Sequence, residues 1–288
     1  MQWRHGAFCD SVVSRLNGIK MLHSLAEGAI YAQADLNDGP TCVMLHGWGR
    51  SSQDFAQLSK RLAANDIGTL RLDLPGFGTS PMPPSAFSSS DYADVASEAI
   101  GQALGGIQDS RFVLVGHSFG GRVAIQIAAQ NPENLAELFI SGVPLFRKVG
   151  TSKSPVVFRV AKRASKLGLV SNATMEKLRN HYGSSDYRNT SGTMREIFVK
   201  VVNEDYREQL LAIEAPTHLI WGQLDTSARL SDAQEAVTLL RNGDLVTIVG
   251  QDHFQPVAEP DTLVAGIVAA MDRTRTAIRR DSDLPASE

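Results

Sequence analysis

The chain of 288 residues contains only two cysteines, Cys9 and Cys42. Two cysteines are too few for the disulfide framework that stabilises many small secreted domains. Cys42 lies in an apolar, strand-like segment, which is typical of a reduced and buried thiol. The cysteine content therefore favours a reducing, cytoplasmic setting.

Long apolar runs and an excess of positive charge are also missing. No run approaches the roughly 18 apolar residues that a membrane span needs, and the segment 1–16 contains no apolar stretch of signal-peptide length. The net charge is −3, so no overall basic field indicates nucleic-acid binding. We therefore expect neither stable membrane insertion nor a nucleic-acid partner.

Sequence motifs that hold metals, phosphates or dinucleotides are absent as well. No group of His, Cys, Asp and Glu has metal-ligand spacing, and neither GxxxxGK[ST] nor a GxGxxG that opens a strand–helix–strand unit occurs. A glycine-rich stretch at 73–80 follows a strand, but Pro75 removes an N–H group that a phosphate cradle would use. We interpret it as a structural turn in which Asp73 and Ser80 bond to the backbone, and we expect no cofactor and no metal.

The chain does contain a regular alternation of strand-like and helix-like segments. The predicted strands cover residues 20–25, 29–36, 41–45, 69–72, 112–115, 138–142, 217–221 and 245–249. The predicted helices cover residues 52–65, 91–104, 122–129, 232–241 and 261–271. This alternation predicts an α/β fold with a mostly parallel eight-stranded sheet and helices on both faces, in which the first two strands form a hairpin around Glu27 and Gly28.

One connection is much longer than a parallel sheet requires. Roughly 70 residues without a strand pattern separate the strand at 138–142 from the strand at 217–221, where one crossover helix would suffice. We interpret residues 145–215 as an inserted helical cap, with helices predicted at 156–167, 174–182 and 192–211. The remaining chain is then divided into an N-terminal tail (1–19), a core (20–144 and 216–272) and a flexible C-terminal tail (273–288).

The cap is basic although the rest of the chain is acidic. Residues 145–215 hold 13 Lys and Arg against 7 Asp and Glu. Five of the basic residues share one amphipathic segment with valine, alanine and leucine: Lys153, Arg159, Lys162, Arg163 and Lys166. Three interpretations stay open, namely a helix with a solvated charged face, attraction of an anionic substrate, and transient contact with acidic lipid headgroups.

The segment 112–121 carries the strongest signal for function. An apolar strand runs into the pentapeptide GHSFG, centred on Ser118, and a helical pattern follows. A GxSxG between a strand and a helix is a nucleophile elbow. The serine occupies a strained turn, and side chains two residues away on either side would collide, which explains Gly116 and Gly120. Such a turn exposes Ser118 Oγ and directs the first N–H groups of the helix towards a point where an oxyanion can sit.

A serine hydroxyl needs a base to take its proton, and an imidazole base needs a third group that fixes its tautomer. Asp225 follows the predicted strand at 217–221, and His253 follows the next strand. Both fall at the carboxyl ends of strands, where ligand sites of α/β sheets form. We therefore predict Ser118 as nucleophile, His253 as base and Asp225 as acid. Asp252 is a lower-ranked alternative acid, because the side chains of neighbouring residues usually diverge.

The loop after the third strand reads HGWG at 46–49, and its glycines allow backbone amides to face a cleft. We predict the N–H groups of Trp48 and Phe119 as an oxyanion hole. His46 is expected to be structural, hydrogen-bonded to nearby loops, rather than catalytic. The Trp48 side chain is expected either to line the acyl pocket or simply to pack.

Together these motifs resemble the α/β-hydrolase superfamily, and specifically its capped members. The matching stretches are HGWG (46–49), DLPGFGTS (73–80), GHSFGG (116–121), WGQLD (221–225) and DHF (252–254), within a resemblance that covers about residues 20–272. The resemblance implies Ser118, His253 and Asp225 as the triad and the amides of Trp48 and Phe119 as the oxyanion hole. The chain departs from the usual pattern at residue 252, where most relatives carry glycine.

The resemblance implies a hydrolase without naming its substrate, because one fold hosts esterases, thioesterases, carbon–carbon bond hydrolases, lactonases and aminopeptidases. Serine at the elbow argues against dehalogenases and epoxide hydrolases, whose nucleophile is a carboxylate. We predict a cytoplasmic serine hydrolase that cleaves a small carboxylic ester or a related small-molecule acyl substrate through an acyl-enzyme. The alternatives are a carbon–carbon bond hydrolase of the same fold and a slow-turnover small-molecule receptor or regulator that retains the triad.

Overall fold

The computed structural model describes residues 21–105, 111–147, 171, 174 and 185–282. Within these residues one sheet has eight strands: β1 (Met21–Leu25), β2 (Ile30–Asp35), β3 (Thr41–Leu45), β4 (Gly68–Asp73), β5 (Phe112–His117), β6 (Leu135–Ser141), β7 (Thr217–Gly222) and β8 (Gly243–Ile248). The α-helices of the same residues are α1 (Ala56–Ala63), α2 (Ser89–Leu104), α3 (Phe119–Ala129), α4 (Ser185–Asn189), α5 (Gly192–Val201), α6 (Arg207–Ala212), α7 (Leu230–Leu239), α8 (Gln255–Ala258) and α9 (Asp261–Ser282). The predicted fold class is confirmed.

The strand order β1-β2-β4-β3-β5-β6-β7-β8 places β3 and β5 side by side near the middle of the sheet. The first two strands form the predicted antiparallel hairpin, and β2 also pairs antiparallel with β4. All pairs from β4 to β8 are parallel. Because β4 lies on one side of β3 and β5 on the other, their carboxyl ends meet at a topological switch point, where α/β sheets bind ligands.

Helices on both faces bury the central strands. Every residue of β3 and β5 is buried, which explains why both strands have unbroken apolar sequences rather than alternating ones. On one face α1 and α9 contribute Leu58, Leu62 and Ile267 to a single apolar cluster. On the other face α2 and α3 contribute Tyr92 and Val123 to a larger cluster. The carboxyl ends of the strands are therefore held on a rigid support.

The prediction of one continuous cap helix at 192–211 is wrong, because the structure has two helices there, α5 and α6. The chain leaves the helical path just before α6. Asp205 accepts a hydrogen bond from the backbone N–H of Arg147 at 3.0 Å, and the N–H of Tyr206 donates to Leu145 O at 3.1 Å. These bonds fix the stretch before α6 to the segment that leaves β6.

The last helix is longer than its sequence pattern predicts. The expectation is a helix that ends near Met271 and is followed by a flexible tail, whereas α9 continues to Ser282. Arg273 donates two hydrogen bonds to the carboxylate of Glu137, at 2.9 and 2.8 Å. The expectation of flexibility from residue 273 is therefore corrected. Charged side chains hold this part of the helix to β6. Apolar periodicity in the sequence does not indicate such contacts.

Several sequence predictions fall on residues outside the described ranges. These are the N-terminal tail (1–19), the basic cap helix (156–167), most of the helix at 174–182, and the last residues of the C-terminal tail (283–288). Among the residues that are described, no helix combines the length and the apolar character needed to cross a membrane.

A charged cluster joins the sheet to α9 at the amino ends of β6, β7 and β8. His218 lies between two carboxylates, with Nδ1 at 2.6 Å from Asp244 Oδ2 and Nε2 at 2.7 Å from Glu137 Oε2. The imidazole also stacks on Phe139, with ring centroids 4.5 Å apart. Partial burial opposes the positive charge, but the hydrogen bonds and charges of the two carboxylates outweigh it and raise the pKa of His218.

This cluster predicts a stability that depends on pH. Because folding raises the pKa of His218 above its ordinary value of about 6.5, the protonated ring stabilises the fold below that value, and the contribution is lost as pH rises through the folded pKa. His218→Gln is therefore expected to lower the free energy of unfolding by about 1–2 kcal/mol at pH 6 and by a smaller amount at pH 9.

Urea denaturation of both proteins at the two pH values measures this difference. His23→Gln, which removes a histidine from the edge strand β1, is the matched control. An equal loss of stability for His218→Gln at pH 6 and pH 9 would contradict the assigned role of the charged imidazole.

Candidate active site

Ser118 lies at the turn between β5 and α3, with backbone φ 53° and ψ −112°. Residues other than glycine rarely adopt a positive φ, so the turn is strained. A Cβ at Gly120 would lie 2.1 Å from the carbonyl oxygen of Leu45. A Cβ at Gly116 would lie 2.6 Å from the Cα of Gly121. The strained, tightly packed turn expected from GxSxG is thus present, and it admits no side chain at either glycine.

Asp225 and His253 are brought together from the loops that follow β7 and β8. His253 Nδ1 lies 2.7 Å from Asp225 Oδ2. The other carboxylate oxygen accepts the backbone N–H groups of Ser227 and Ala228, each at 2.8 Å. The carboxylate is fully buried and held in one orientation. As an acceptor it requires the proton on Nδ1 of the neutral imidazole, which leaves Nε2 as a hydrogen-bond acceptor.

Asp252, the alternative acid, serves the turn instead. Its Oδ1 accepts the backbone N–H groups of Phe254 at 2.9 Å and of Gln255 at 3.3 Å, at the start of α8. Its side chain is exposed. The two neighbouring side chains diverge as expected, so His253 meets Asp225 rather than Asp252.

Ser118 and His253 line the same cavity, which has a volume of about 690 Å³. It lies between the carboxyl ends of the strands and the cap, from which Phe198, Val201 and Asn203 contribute to its wall. A cavity of this size suits a small organic ligand.

The backbone amides of Trp48 and Phe119 belong to two segments that border the same cavity as Ser118. Phe119 is the first residue of α3, Trp48 belongs to the loop after β3, and both residues line the cavity. In the part of the chain that the structure describes, neither N–H donates a hydrogen bond to another group. Two unpaired donors on a rigid backbone have the chemistry needed to bind a developing negative charge.

His46 is buried at the start of the loop that contains Trp48, and it makes the structural hydrogen bonds expected of it. Its Nε2 accepts the backbone N–H of Leu74 at 3.0 Å, and its Nδ1 lies 2.8 Å from the carbonyl oxygen of Gly47 and donates to it. Burial lowers the pKa of His46, so the ring is neutral and able to accept this bond. It ties the loop of Trp48 to the loop that follows β4.

The glycine-rich stretch at 73–80 is the structural turn that the sequence predicts. Asp73 accepts the backbone N–H groups of Ser52 at 2.7 Å and of Thr79 at 2.8 Å. Burial opposes the charge, but these hydrogen bonds outweigh it and lower the pKa of Asp73. Ser80 Oγ accepts the N–H of Tyr31 at 2.8 Å. These bonds attach the stretch to β2 and to the segment that precedes α1.

The sequence motifs indicate no role for two residues that lie near the imidazole of His253. Gly142 follows β6 with φ +59°, and a Cβ there would lie 2.9 Å from His253 Nδ1. A lone glycine after a strand becomes informative only once the order of β5, β6 and β7 is known. His117 is buried, and its ring centroid lies 4.9 Å from that of His253. Burial and the neighbouring His253 lower the pKa of His117 to about 3, so it stays neutral beside the predicted base.

The Trp48 side chain packs against other aromatic rings, and Trp48 also lines the cavity. The indole lines the cavity, and it also packs edge-to-face against Phe77, Phe119 and Phe198, with ring centroids 5.0, 5.2 and 5.1 Å apart. Each such pair contributes about 0.5–1.5 kcal/mol beyond the burial of its area. The cap residue Phe198 carries no sequence signal, because its role depends on where α5 lies above the sheet.

Comparisons with known proteins agree with this architecture. A pimeloyl-[acyl-carrier protein] methyl ester esterase from Pseudoalteromonas atlantica is 25% identical over 211 residues, which cover 66% of this chain and 78% of that protein. The enzyme of the same description from a Shewanella species is 28% identical over 207 residues, 65% of this chain and 74% of its own. An esterase from Exiguobacterium antarcticum shares the fold with a TM-score of 0.66 at 19% identity, over 88% of this chain and 100% of that chain.

The sequence profile of one family spans most of the chain. The profile described as "Alpha/beta hydrolase family" matches residues 42–276, which include the loop of Trp48, the turn at Ser118 and the residues Asp225 and His253. With the sheet order and the geometry at the carboxyl ends of the strands, this match means that the chain belongs to the alpha/beta hydrolase family.

Proposed function

We propose that the protein is a serine hydrolase that cleaves a small carboxylic ester, with Ser118 as nucleophile, His253 as base and Asp225 as acid. The observation that carries this proposal is the 2.7 Å hydrogen bond between Asp225 Oδ2 and His253 Nδ1, made at the wall of the cavity that Ser118 also lines. That bond leaves Nε2 unprotonated and able to accept a proton, in the cavity that Ser118 also lines.

In the first step Ser118 Oγ attacks the carbonyl carbon while His253 Nε2 takes the hydroxyl proton. The new O–C bond moves the electron pair of the C=O bond onto oxygen, and the N–H groups of Trp48 and Phe119 donate to this oxyanion. The ionised Asp225 stabilises the imidazolium that has formed. Loss of such a donor costs about 10²–10³-fold in kcat in serine hydrolases, so the two amides supply a large part of the rate.

In the second step the tetrahedral intermediate collapses and the C–O bond to the alcohol breaks. His253 gives its proton to the leaving alkoxide, and the acyl group stays on Ser118. A water molecule then enters, His253 takes one of its protons, and its oxygen attacks the acyl carbon. The acid leaves, and Ser118 regains its proton from His253.

Two further observations support an ester as the substrate. The cavity of about 690 Å³ suits a small organic acyl compound. Two relatives that match this chain over about three quarters of their own length are named methyl ester esterases. No feature of the described residues favours carbon–carbon cleavage or a receptor role over ester hydrolysis.

The cellular setting that we propose is the reducing cytoplasm. Cys42, the cysteine that lies within the described residues, is a free thiol fully buried in β3. Burial raises the pKa of this thiol well above its ordinary range, so that it is unreactive as well as unpaired.

Variants of the acid distinguish the proposed triad from its neighbours. Asp225→Asn is expected to lower kcat for p-nitrophenyl acetate by about 10³–10⁴-fold, because an amide does not hold the imidazole in the required tautomer. Asp252→Asn is the matched control and should keep a kcat near that of the parent, since Asp252 binds only backbone N–H groups of its own turn. A larger loss for Asp252→Asn than for Asp225→Asn would contradict the assignment.

Covalent labelling tests the nucleophile and the reaction class together. A fluorophosphonate probe is expected to add once, on the peptide that contains Ser118, and Ser118→Ala should neither label nor hydrolyse esters. Labelling is read by mass spectrometry, and turnover is measured on a panel of short aryl esters. Labelling at Ser118 without ester turnover would overturn the esterase proposal and favour the carbon–carbon hydrolase or the receptor.

A further inference from the structure

A second cavity, of about 620 Å³, lies next to the cavity that contains Ser118. Trp48, Arg50 and Asp186 line both cavities, whereas Ser118 and His253 line only the first. The indole of Trp48 is the large apolar group among the three shared residues. It therefore forms a wall between the reacting groups and the second cavity.

Three elements of the fold hold this wall in place. Phe77 comes from the loop after β4, Phe119 from α3 and Phe198 from the cap helix α5, and each ring meets the indole edge-to-face. A rotation of the indole would break contacts on all three sides at once. Residues of the core and of the cap thus hold the indole in this position.

The second cavity, on the far side of the wall, is lined by apolar side chains together with polar and charged ones, among them Arg50 and Asp186. Phe77, Met82 and Met194 line it together with the indole. Thioethers and aromatic rings adapt well to flexible alkyl chains. Asn189 and Thr190 contribute polar groups from the cap. The space is large enough for several methylene groups of a chain, which would enter it only if the wall were removed.

We propose that the Trp48 side chain limits the length of the acyl group, so that the enzyme acts on esters of short-chain acids, and that the second cavity is a latent extension of the acyl pocket. This inference rests on the proposed function. Trp48 and Ser118 line the same cavity, so an acyl group on Ser118 that is directed towards the indole meets the wall.

The expected size of the effect follows from the transfer of methylene groups out of water. Each methylene that enters an apolar space improves binding by about fourfold. In the parent protein the indole keeps the added carbons of an acyl group directed towards it out of the second cavity, so kcat/KM should fall from p-nitrophenyl acetate to p-nitrophenyl octanoate. Trp48→Ala keeps the backbone amide and opens the wall, and it should raise the octanoate-to-acetate ratio of kcat/KM at least tenfold.

Two further variants give the test its controls. Met82→Trp fills the second cavity, so in the Trp48→Ala background it should cancel most of the gain in the ratio, whereas Leu211→Trp, at an exposed position in neither lining, should not. Phe77→Ala removes one support of the wall, leaves Trp48 intact and leaves the lining of the first cavity unchanged. It should raise the ratio in the same direction, and it serves as the test should Trp48→Ala fail to fold.

A binding measurement separates this inference from the proposed function. Titration calorimetry of octanoate and butyrate, in the Ser118→Ala background, needs no turnover. If Trp48 forms the wall, Trp48→Ala, or Phe77→Ala in its place, should tighten octanoate binding at least tenfold relative to butyrate. Unchanged ratios in kinetics and in binding, with acetate hydrolysis intact, would overturn the inference alone. Absence of all ester turnover would overturn the proposed function, and the calorimetry would still decide whether Trp48 is a wall.

Discussion

The hydrogen bond between the buried carboxylate of Asp225 and the imidazole of His253 is the interaction on which the rest of the site depends. It joins two loops that are far apart in the sequence, and it gives the imidazole one tautomer and one orientation. The backbone N–H groups of Ser227 and Ala228 hold the other carboxylate oxygen, so the acid cannot turn away. A serine in a strained turn is then placed at the wall of the same cavity.

The parallel sheet makes this convergence possible, because it presents the ends of β3, β5, β7 and β8 at one edge. The cap is joined to that edge by polar contacts. The Arg122 guanidinium, from the helix that begins next to Ser118, donates to Val201 O at the end of α5 and lies 5.7 Å from the ring of Tyr206. Tyr206 in turn donates to Glu204 at 2.5 Å. These contacts join the cap helix α5 to the helix that begins next to Ser118.

Much of this arrangement follows from local sequence. The apolar runs of β3 and β5, the glycines around Ser118 and the position of Asp225 after a strand each have a local physical cause. The break between α5 and α6, the length of α9 and the space that Gly142 leaves for His253 do not, because they depend on contacts between distant segments. Trp48 illustrates both cases: its place in the HGWG loop predicts an amide that faces the cleft, whereas only the three-dimensional structure shows that the residue lines two cavities.

The most direct test of the account is a crystal structure of the protein after reaction with a p-nitrophenyl alkylphosphonate, which mimics the tetrahedral intermediate. The account predicts phosphorus bonded to Ser118 Oγ, a phosphonyl oxygen about 3 Å from the N–H groups of both Trp48 and Phe119, and His253 Nε2 facing the adduct while Nδ1 keeps its bond to Asp225. An adduct on another residue, or a phosphonyl oxygen directed away from both amides, would contradict it.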